Sequence, residues 1–511
     1  MPKIKVNEKA LAHLSRGLYR SPASALKELV SNGWDANATE VRLDTNYPNF
    51  LRISVEDDGD GFTRDEFKEL MEGGIGNSKK RSEYKPLKNN RPIIGRLGIG
   101  MLGIAQICGG FTVLSRPKKG EGFKARIQLY DLLKEKLDED DKTIIVGKEE
   151  IDVGEYSFLD YAPSEARFGT FIIADDIHPT FVRSFQSSLK NEAFKEPNLD
   201  WTESLKILSR VRSLQELGDY WRLLWELAAS CPIQYINDHA LPQGLVIEEN
   251  EQLKSYQFSM IIDGIKLFKP IYLKGNPGGY TVIKIGRQNQ KIYGKDLSFH
   301  GYIIVQEGAQ LRPDELRGLL IRIKNVGIGY YDPSMLDYRY NEGPRAKWIT
   351  GEIFIDIGLE NALNIDRDSF NRFHPEFRAI QEYIHKILHD NLFPEVYKKI
   401  DARSLTRSES KDKKRLSNLK NIISKAADNT VVIRKSDQIS EPNTIPRAFI
   451  IKKASTVNIE LPNPDTLLTK KSNRQLAASI LAIYEIALNE KTIEKQRALF
   501  TQMLLKLLSE W

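Results

Sequence analysis

A single helix with three polar side chains on one face constrains this chain more than any other feature. The segment from about 21 to 37 predicts a helix that has a Ser cap and a Pro in its first turn. Glu28, Asn32 and Asp35 lie at i, i+4 and i+7 and therefore share a face. The opposite face carries Leu26, Leu29, Val30 and Gly33. This pattern predicts packing against a sheet, with a polar stripe suited to a hydrated magnesium ion and an activated water. A merely amphipathic surface helix is the alternative.

Two glycine-rich segments follow this helix. Asp57 ends a strand-like run and can accept a hydrogen bond from an exocyclic amine, while Gly59 and Gly61 let a ligand approach the backbone. The run Gly95-Arg96-Leu97-Gly98-Ile99-Gly100 opens a second helix and exposes N–H groups suited to phosphate. Its spacing does not fit a dinucleotide fingerprint, and the sequence G-x-x-x-x-G-K-[ST] does not occur, which excludes a P-loop.

Together these segments resemble the ATP-binding fold of gyrase B, Hsp90, sensor histidine kinases and MutL, the GHKL superfamily. The stretch Glu28–Ala36 holds a complete E-L-x-x-N-x-x-D-A box. The resemblance implies that Glu28 is the general base that activates water and also holds Mg²⁺ through water. It implies that Asn32 ligates Mg²⁺ directly and that Asp35 supports the nucleotide side of the helix.

The same resemblance assigns the rest of an ATP pocket. Asp57 would read the adenine amino group, and the glycines of the 95–100 run would cradle the phosphates beside an ATP lid at about 72–97. Thr170, in the strand-like segment Gly169–Ile173, would bond near the adenine through water. The full set of implied nucleotide contacts is Asn32, Asp35, Asp57, Gly59, Gly61, Phe62, Ser78, Lys79, Gly95, Gly98, Ile99, Gly100 and Thr170.

Two further segments bear on the branch of the superfamily. Histidine kinases lack the glutamate at the first position of this box. The presence of Glu28 therefore favours hydrolysis over phosphotransfer. The stretch Gly358–Phe370 (G-L-E-N-A-L-N-I-D-R-D-S-F) is similar to an Hsp90 middle-domain segment, which implies that Arg367 reaches the γ-phosphate as an arginine finger. A surface arginine flanked by acidic residues is the alternative. The run Asp35–Val41 (D-A-N-A-T-E-V) reads more like MutL and MORC proteins.

The predicted architecture is α+β, with several domains in 511 residues. We expect an ATP-binding α/β sandwich at 1–178, with helices on one face of a mixed sheet. A helical extension at 179–243, an α/β middle (transducer) domain at 244–400, and a basic linker with a mainly helical region at 401–511 would follow. Two cysteines exclude a disulfide framework, and no secretory signal or membrane span is apparent. A reducing, cytoplasmic location and no membrane partner are therefore expected.

Charge is unevenly distributed along the chain. Residues 401–511 contain 20 Lys+Arg and 12 Asp+Glu, a balance of +8, whereas residues 1–400 contain 55 and 57, a balance of −2.

The predicted function is an ATP-dependent switch that binds and slowly hydrolyses Mg-ATP and closes, as a homodimer, on a protein client as Hsp90 does. One alternative is a MutL- or MORC-like ATPase that binds DNA through the basic C-terminal region. Another is an ATP-gated scaffold that recruits an effector protein, for example in defence against phage.

Overall fold

The structure is a computed structural model that forms two compact units, Met1–His385 and Lys386–Trp511. Its described residues are 3–7, 21–72, 88–95, 103–104, 106–129, 150–162, 164, 167–187, 200–236, 247–273, 279–307, 309–340, 342–364, 367–398, 410, 414, 417, 421, 430–435, 448–451, 456–461, 476, 479–480, 483–484, 487–488 and 490–510.

The first unit contains a nine-stranded mixed sheet. Its strands are β1 (Lys3–Asn7), β2 (Glu40–Asp44), β3 (Ile53–Asp57), β4 (Gly110–Arg116), β5 (Phe123–Leu129), β6 (Glu150–Leu159), β7 (Gly169–Ala174), β8 (Ser259–Ile262) and β9 (Ile265–Lys266). Their order is β1-β6-β5-β4-β7-β3-β2-β8-β9, and every neighbouring pair is antiparallel except the parallel pair β2–β8. Because β8 and β9 belong to this sheet, it extends beyond the limit of 178 expected from the sequence.

Helices accompany this sheet, as the sequence predicts, and the described residues between 22 and 255 contain six α-helices. They are α1 (Pro22–Asp35), α2 (Arg64–Glu72), α3 (Pro179–Ser187), α4 (Trp201–Leu208), α5 (Asp219–Ser230) and α6 (Glu248–Ser255). Helix α1 begins at Pro22, and the Ser21 hydroxyl caps it by accepting from the Ser24 N–H. It packs against β2 and β3 on one side and against α5 on the other. Since both faces are covered, the alternative of an amphipathic surface helix is wrong.

A second sheet in the same unit has five strands. They are β10 (Tyr280–Ile292), β11 (Lys295–Gln306), β12 (Gly318–Ile323), β13 (Val326–Asp332) and β14 (Ile349–Ile357). Their order is β10-β11-β14-β12-β13, with only β12 and β14 parallel. Helix α5 packs on β13 as well as on α1, and one apolar cluster runs from α1 through α5 into this sheet. The two sheets therefore share a continuous core.

The sequence at about 375–398 predicts a long helix. It begins as α7 (Pro375–Ile387) and is followed by a π-helical turn at Leu388–Leu392. The second unit contains β15 (Thr430–Lys435), β16 (Ala448–Ile451), β17 (Thr456–Leu461) and α8 (Ile493–Glu510). The three strands described in this unit form a sheet in the order β15-β17-β16. The sequence predicts only one short strand-like stretch there, at Phe449–Lys452.

The sequence at Val246–Glu248 predicts a short strand, which is wrong at its end. Glu248 starts α6, whose first turn also contains Glu249 and Glu251. Acidic side chains in a first turn interact favourably with the positive end of the helix dipole, so they stabilise a helix start there.

Among the described residues, no helix has the length and apolarity that a membrane crossing requires.

Candidate functional site

The polar stripe predicted on α1 lies inside the first unit. Glu28 is only 6% exposed, and its Oε2 lies 3.3 Å from Nη1 of Arg367. Asn32 is half-buried one turn later, and its side-chain amide has no hydrogen-bond partner within the described part of the chain. The structure thus brings Arg367 to Glu28 across 339 positions of sequence. A buried carboxylate and a guanidinium meet beside an amide that is still able to bind a ligand.

A second ion pair lies directly beside the first. Lys27 Nζ donates to Asp368 Oδ1, and both side chains are 4% exposed. Consecutive residues of α1, one basic and one acidic, therefore pair with consecutive residues of opposite charge in the loop before α7. Arg367 has a left-handed backbone (φ 53°), which is uncommon for a residue with a long side chain. Its N–H donates to the Asn364 carbonyl at 3.0 Å, so a tight turn presents the guanidinium to α1.

Helix α1 also holds the start of the predicted phosphate-binding run. We call residues Pro92–Gly95 the anchor segment. Asp35 accepts from the N–H groups of Ile94 at 2.7 Å and Gly95 at 2.6 Å. Trp34 Nε1 donates to the Pro92 carbonyl at 2.8 Å. Asp35 therefore fixes the backbone that leads into the glycine run.

The second sheet reaches the same anchor segment. Lys324, in the turn between β12 and β13, donates to the Ile93 carbonyl at 3.0 Å and pairs with Glu360 at 2.8 Å. Arg367 Nη2 donates to the next carbonyl, that of Ile94. Three successive carbonyls of the anchor segment thus each accept from a different side chain. Both cations lie in parts of the chain far from the N-terminal motifs.

Asp57 lies at the end of β3, opposite Thr170 of β7. Its Oδ1 accepts from the Gly59 N–H at 2.9 Å, and Thr170 supplies further hydrogen bonds. Burial raises the pKa of Asp57 to about 6, and the hydrogen bonds from Gly59 and Thr170 offset only part of that rise. A buried carboxylate at a strand end is suited to accept a hydrogen bond from an exocyclic amine.

Two glycines of the motifs are required by the protein itself. A Cβ at Gly59 would lie 2.6 Å from the Ala36 carbonyl oxygen, at the end of α1. A Cβ at Gly95 would lie 2.6 Å from Asp35 Oδ2. These glycines therefore allow the two motif loops to approach α1, whereas the sequence suggested only an approach by a ligand. Gly61 has φ +64°, a turn conformation that favours glycine.

The remaining predicted nucleotide contacts are Phe62, which packs among aromatic rings, and five residues that the structure does not describe. The Phe62 ring packs against Phe67 and Phe123, and its N–H donates to the Ser115 hydroxyl at 2.9 Å. Phe62 thus contributes to an aromatic cluster with these two rings. The remaining predicted contacts lie outside the described residues: Ser78, Lys79, Gly98, Ile99 and Gly100.

Sequence reasoning did not find Lys27, Lys324 or Asp368. Lys27 carried a signal, since it interrupts an otherwise apolar or motif-forming helix beside Glu28. Lys324 lies in the two-residue turn Lys324-Asn325 between apolar strands, where both residues have positive φ. Such a turn places a side chain at the tip of a hairpin, although its target cannot be read from local sequence.

Comparison with known proteins supports this picture of the N-terminal region. Residues 19–152 match the family model of histidine kinase-, DNA gyrase B- and HSP90-like ATPases. A segment of 100 residues is 34% identical to a putative type II restriction enzyme, HgiDII, from Herpetosiphon aurantiacus. That match covers 18% of this chain and 15% of the relative, so the chain spans a small part of that protein. The matched N-terminal region, with its acidic helix α1, belongs to the GHKL superfamily of ATPase domains.

Proposed function

We propose that this protein hydrolyses ATP, with Glu28 as the general base and Arg367 as the residue that completes the site. The contact between the Arg367 guanidinium and the buried carboxylate of Glu28, a residue of the GHKL ATPase domain, is the observation that carries the proposal. Asp57 accepts from the adenine amino group. The glycine run that follows the anchor segment binds the phosphates through its N–H groups.

The chemical step follows from these positions. Glu28 takes a proton from a water molecule as the water oxygen attacks the γ-phosphorus. The bond to the bridging oxygen of the β-phosphate breaks, and ADP and phosphate leave. Arg367 stabilises the negative charge on the transferring group. Because Arg367 now pairs with Glu28, its donors must turn to the γ-phosphate before the carboxylate is free to act as a base.

The residues of this site can hold a magnesium ion with only a few protein ligands. The described residues contain no group of three or more His, Cys, Asp or Glu side chains that could hold a metal. Mg²⁺ bound with ATP normally takes most of its ligands from phosphates and water, so one amide oxygen is sufficient. The partner-free amide of Asn32 fits this role, and Glu28 fits the water-mediated one. When bound, the ion neutralises phosphate charge.

Substitution of Glu28 by Gln tests the hydrolysis step. We expect ATP binding to persist while kcat falls by about 100-fold or more, since a positioned general base contributes roughly 10²–10⁴-fold. The measurement is phosphate release at saturating ATP, together with a nucleotide-binding titration. Glu69→Gln, an exposed glutamate on α2, is the matched control. Unchanged turnover in Glu28→Gln would remove Glu28 as the base.

We propose that the hydrolysis cycle drives an Hsp90-like conformational switch in which two copies close on a partner. The Hsp90-like segment around Arg367 supports this use, because the structure places that segment against α1. Mass measurement with and without a non-hydrolysable ATP analogue tests it. Association that depends on the analogue is expected, and a mass independent of nucleotide would contradict it.

A DNA-associated ATPase is the second candidate. The similarity to a protein named as a putative type II restriction enzyme favours it, although the match covers 15% of that relative. ATPase rates measured with the protein alone, with duplex DNA and with an unfolded protein separate the two uses. Stimulation by DNA that declines steeply with salt supports this candidate. Stimulation by unfolded protein alone supports the Hsp90-like use.

A further inference from the structure

The hairpin of β10 and β11 extends beyond the second sheet. The last pairing of β11 with β14 is Ser298 opposite Ile357. Beyond it, β10 and β11 continue to pair with each other as far as Ile292 and Lys295. Three further residue pairs follow, and the first of them includes the buried Leu297. The last two pairs and their turn thus form a two-stranded ribbon that projects about 7 Å, at roughly 3.4 Å per residue. We call residues 289–297 the ribbon.

The base of the ribbon is held firmly. Leu297 and Phe299 are 1% and 0% exposed, and the Phe299 ring contacts the Tyr383 ring of α7 at 5.4 Å in an edge-on arrangement. Arg287, beside a bulge in β10, makes two hydrogen bonds to Asp356 of β14, at 3.0 and 3.2 Å. The ribbon therefore projects from a fixed base.

The tip of the ribbon carries an exposed aromatic side chain at an unfavourable backbone position. Tyr293 and Gly294 form its two-residue turn, with φ of 49° and 82°. Turns of this kind favour Asn or Gly in the first place, and a bulky residue there is strained. Tyr293 is nevertheless 90% exposed, so burial does not compensate for the strain. Strain that the fold does not require is a reason to expect a partner at the tip.

The charge of the hairpin is also unusual for this part of the chain. Residues 280–296 contain four basic residues, Lys284, Arg287, Lys291 and Lys295, and one acidic residue, Asp296. This balance of +3 lies within a 400-residue region whose total is −2. Lys291 lies 4.0 Å from Asp296, and both are well exposed, so the pair contributes little and leaves Lys291 free to bind an anion.

We infer that the ribbon binds duplex DNA by entering the major groove. A two-stranded β-ribbon fits a groove about 12 Å wide. Lys291 and Lys295 supply cations for phosphates, and the exposed amide of Asn289 shares a face with Lys291 and can meet base edges. The exposed Tyr293 ring lies in the turn at the tip, the part of the ribbon that would enter the groove first. This inference rests on the DNA-associated candidate function and moves the DNA contact from the basic C-terminal region to the second sheet.

Two variants of the full chain test the ribbon by fluorescence anisotropy with a 30-base-pair duplex and no nucleotide. The double variant Lys291→Glu/Lys295→Glu is expected to weaken binding at least 10-fold and to lower the slope of log affinity against log salt by about 2. Tyr293→Asn is expected to weaken binding several-fold while unfolding at the same or a higher temperature, because Asn suits the turn. The matched control is Lys266→Glu/Lys347→Glu, which changes two exposed lysines away from the ribbon.

The outcomes separate the two proposals. If the wild-type protein binds duplex DNA and both ribbon variants bind equally well, the ribbon assignment fails while the DNA-associated function stands. If the wild-type protein binds no DNA, both fail together. Tighter binding to a single strand of the same length would overturn the duplex as the partner. If the lysine control loses as much DNA affinity as the ribbon variant, the loss depends only on the net charge of the protein. That result would also overturn the assignment.

Discussion

Asp57 and Asp58 are neighbours in sequence, but their carboxyl groups have opposite pKa shifts. Burial raises the pKa of Asp57 to about 6. Desolvation also acts to raise the pKa of Asp58, but hydrogen bonds from Thr39 and Glu40 outweigh it, so the net pKa is lowered. The hydrogen bonds outweigh desolvation at Asp58, whereas desolvation outweighs them at Asp57. This difference in the residues' surroundings supports the proposal that Asp57 is the one that binds the nucleotide.

Substitution of Asp57 by Asn should therefore abolish ATP binding and stabilise the nucleotide-free protein. Because its folded pKa is raised, Asp57 contributes stability that is present below about pH 4 and is lost as the pH rises through about 6. We expect Asp57→Asn to gain about 3 kcal/mol at pH 7 and to lose that advantage towards pH 4. The measurement is denaturant unfolding at several pH values, with a nucleotide titration at pH 7.

Asp58→Asn provides the control with the opposite sign. Its pKa is lowered, so its stability is present above its ordinary pKa and lost as the pH falls. This variant should be less stable than the wild type at pH 7 and approach it in acid. A destabilised Asp57→Asn protein at pH 7 would show that the Asp57 carboxylate is already satisfied without nucleotide.

At the scale of elements, the sequence predicts a helix or strand correctly where the residues that determine it are close together in the chain. Helix α1 and the strands β2, β3 and β7 follow from caps, glycines and apolar runs in the sequence. The contacts of the anchor segment do not follow from it, because Lys324 lies 231 positions from Ile93 and Arg367 lies 273 positions from Ile94. Arg367 could be named only through a family resemblance. Lys324 had no such resemblance, and only the packing of the second sheet reveals its target.

The β12–β13 turn should therefore affect nucleotide binding. Lys324→Met keeps the length of the side chain but removes its bonds to the Ile93 carbonyl and Glu360. A partly exposed charged hydrogen bond is worth about 1 kcal/mol, so we expect ATP affinity to fall roughly 3- to 10-fold. The measurement is an ATP titration followed by heat or fluorescence.

Lys347→Met, which removes an exposed lysine elsewhere in the same unit, should leave that affinity unchanged. Equal affinity in the Lys324 variant and the wild type would show that the anchor segment is held by α1 and Arg367 alone. A loss of thermal stability without a change in affinity would likewise place Lys324 outside nucleotide binding.

At the scale of the first unit, a buried polar cluster holds the second sheet to α5. Glu352 of β14 and Arg322 of β12 form an ion pair, and both side chains are 0% exposed. Arg322 also donates to the Ala229 carbonyl near the end of α5, at 2.8 Å. Three tyrosine hydroxyls donate to Glu352, those of Tyr235, Tyr302 and Tyr331. Since α5 packs on α1, this cluster and the continuous apolar core join the second sheet to α1.

Substitution of Glu352 by Ala tests whether the two sheets unfold as one. It leaves the buried Arg322 without its partner, which should cost about 3–5 kcal/mol. Because the core is continuous, we expect hydrogen exchange to accelerate together in β3, β7 and α1 of the first sheet's layer and in β11 and β14 of the second sheet. Asp296→Ala, an exposed acid on the ribbon, should leave exchange unchanged in all of them. Faster exchange confined to the second sheet, with α1 still protected, would show that the sheets are separate cooperative units and that Arg367 and Lys324 reach the nucleotide site from a part that is able to detach.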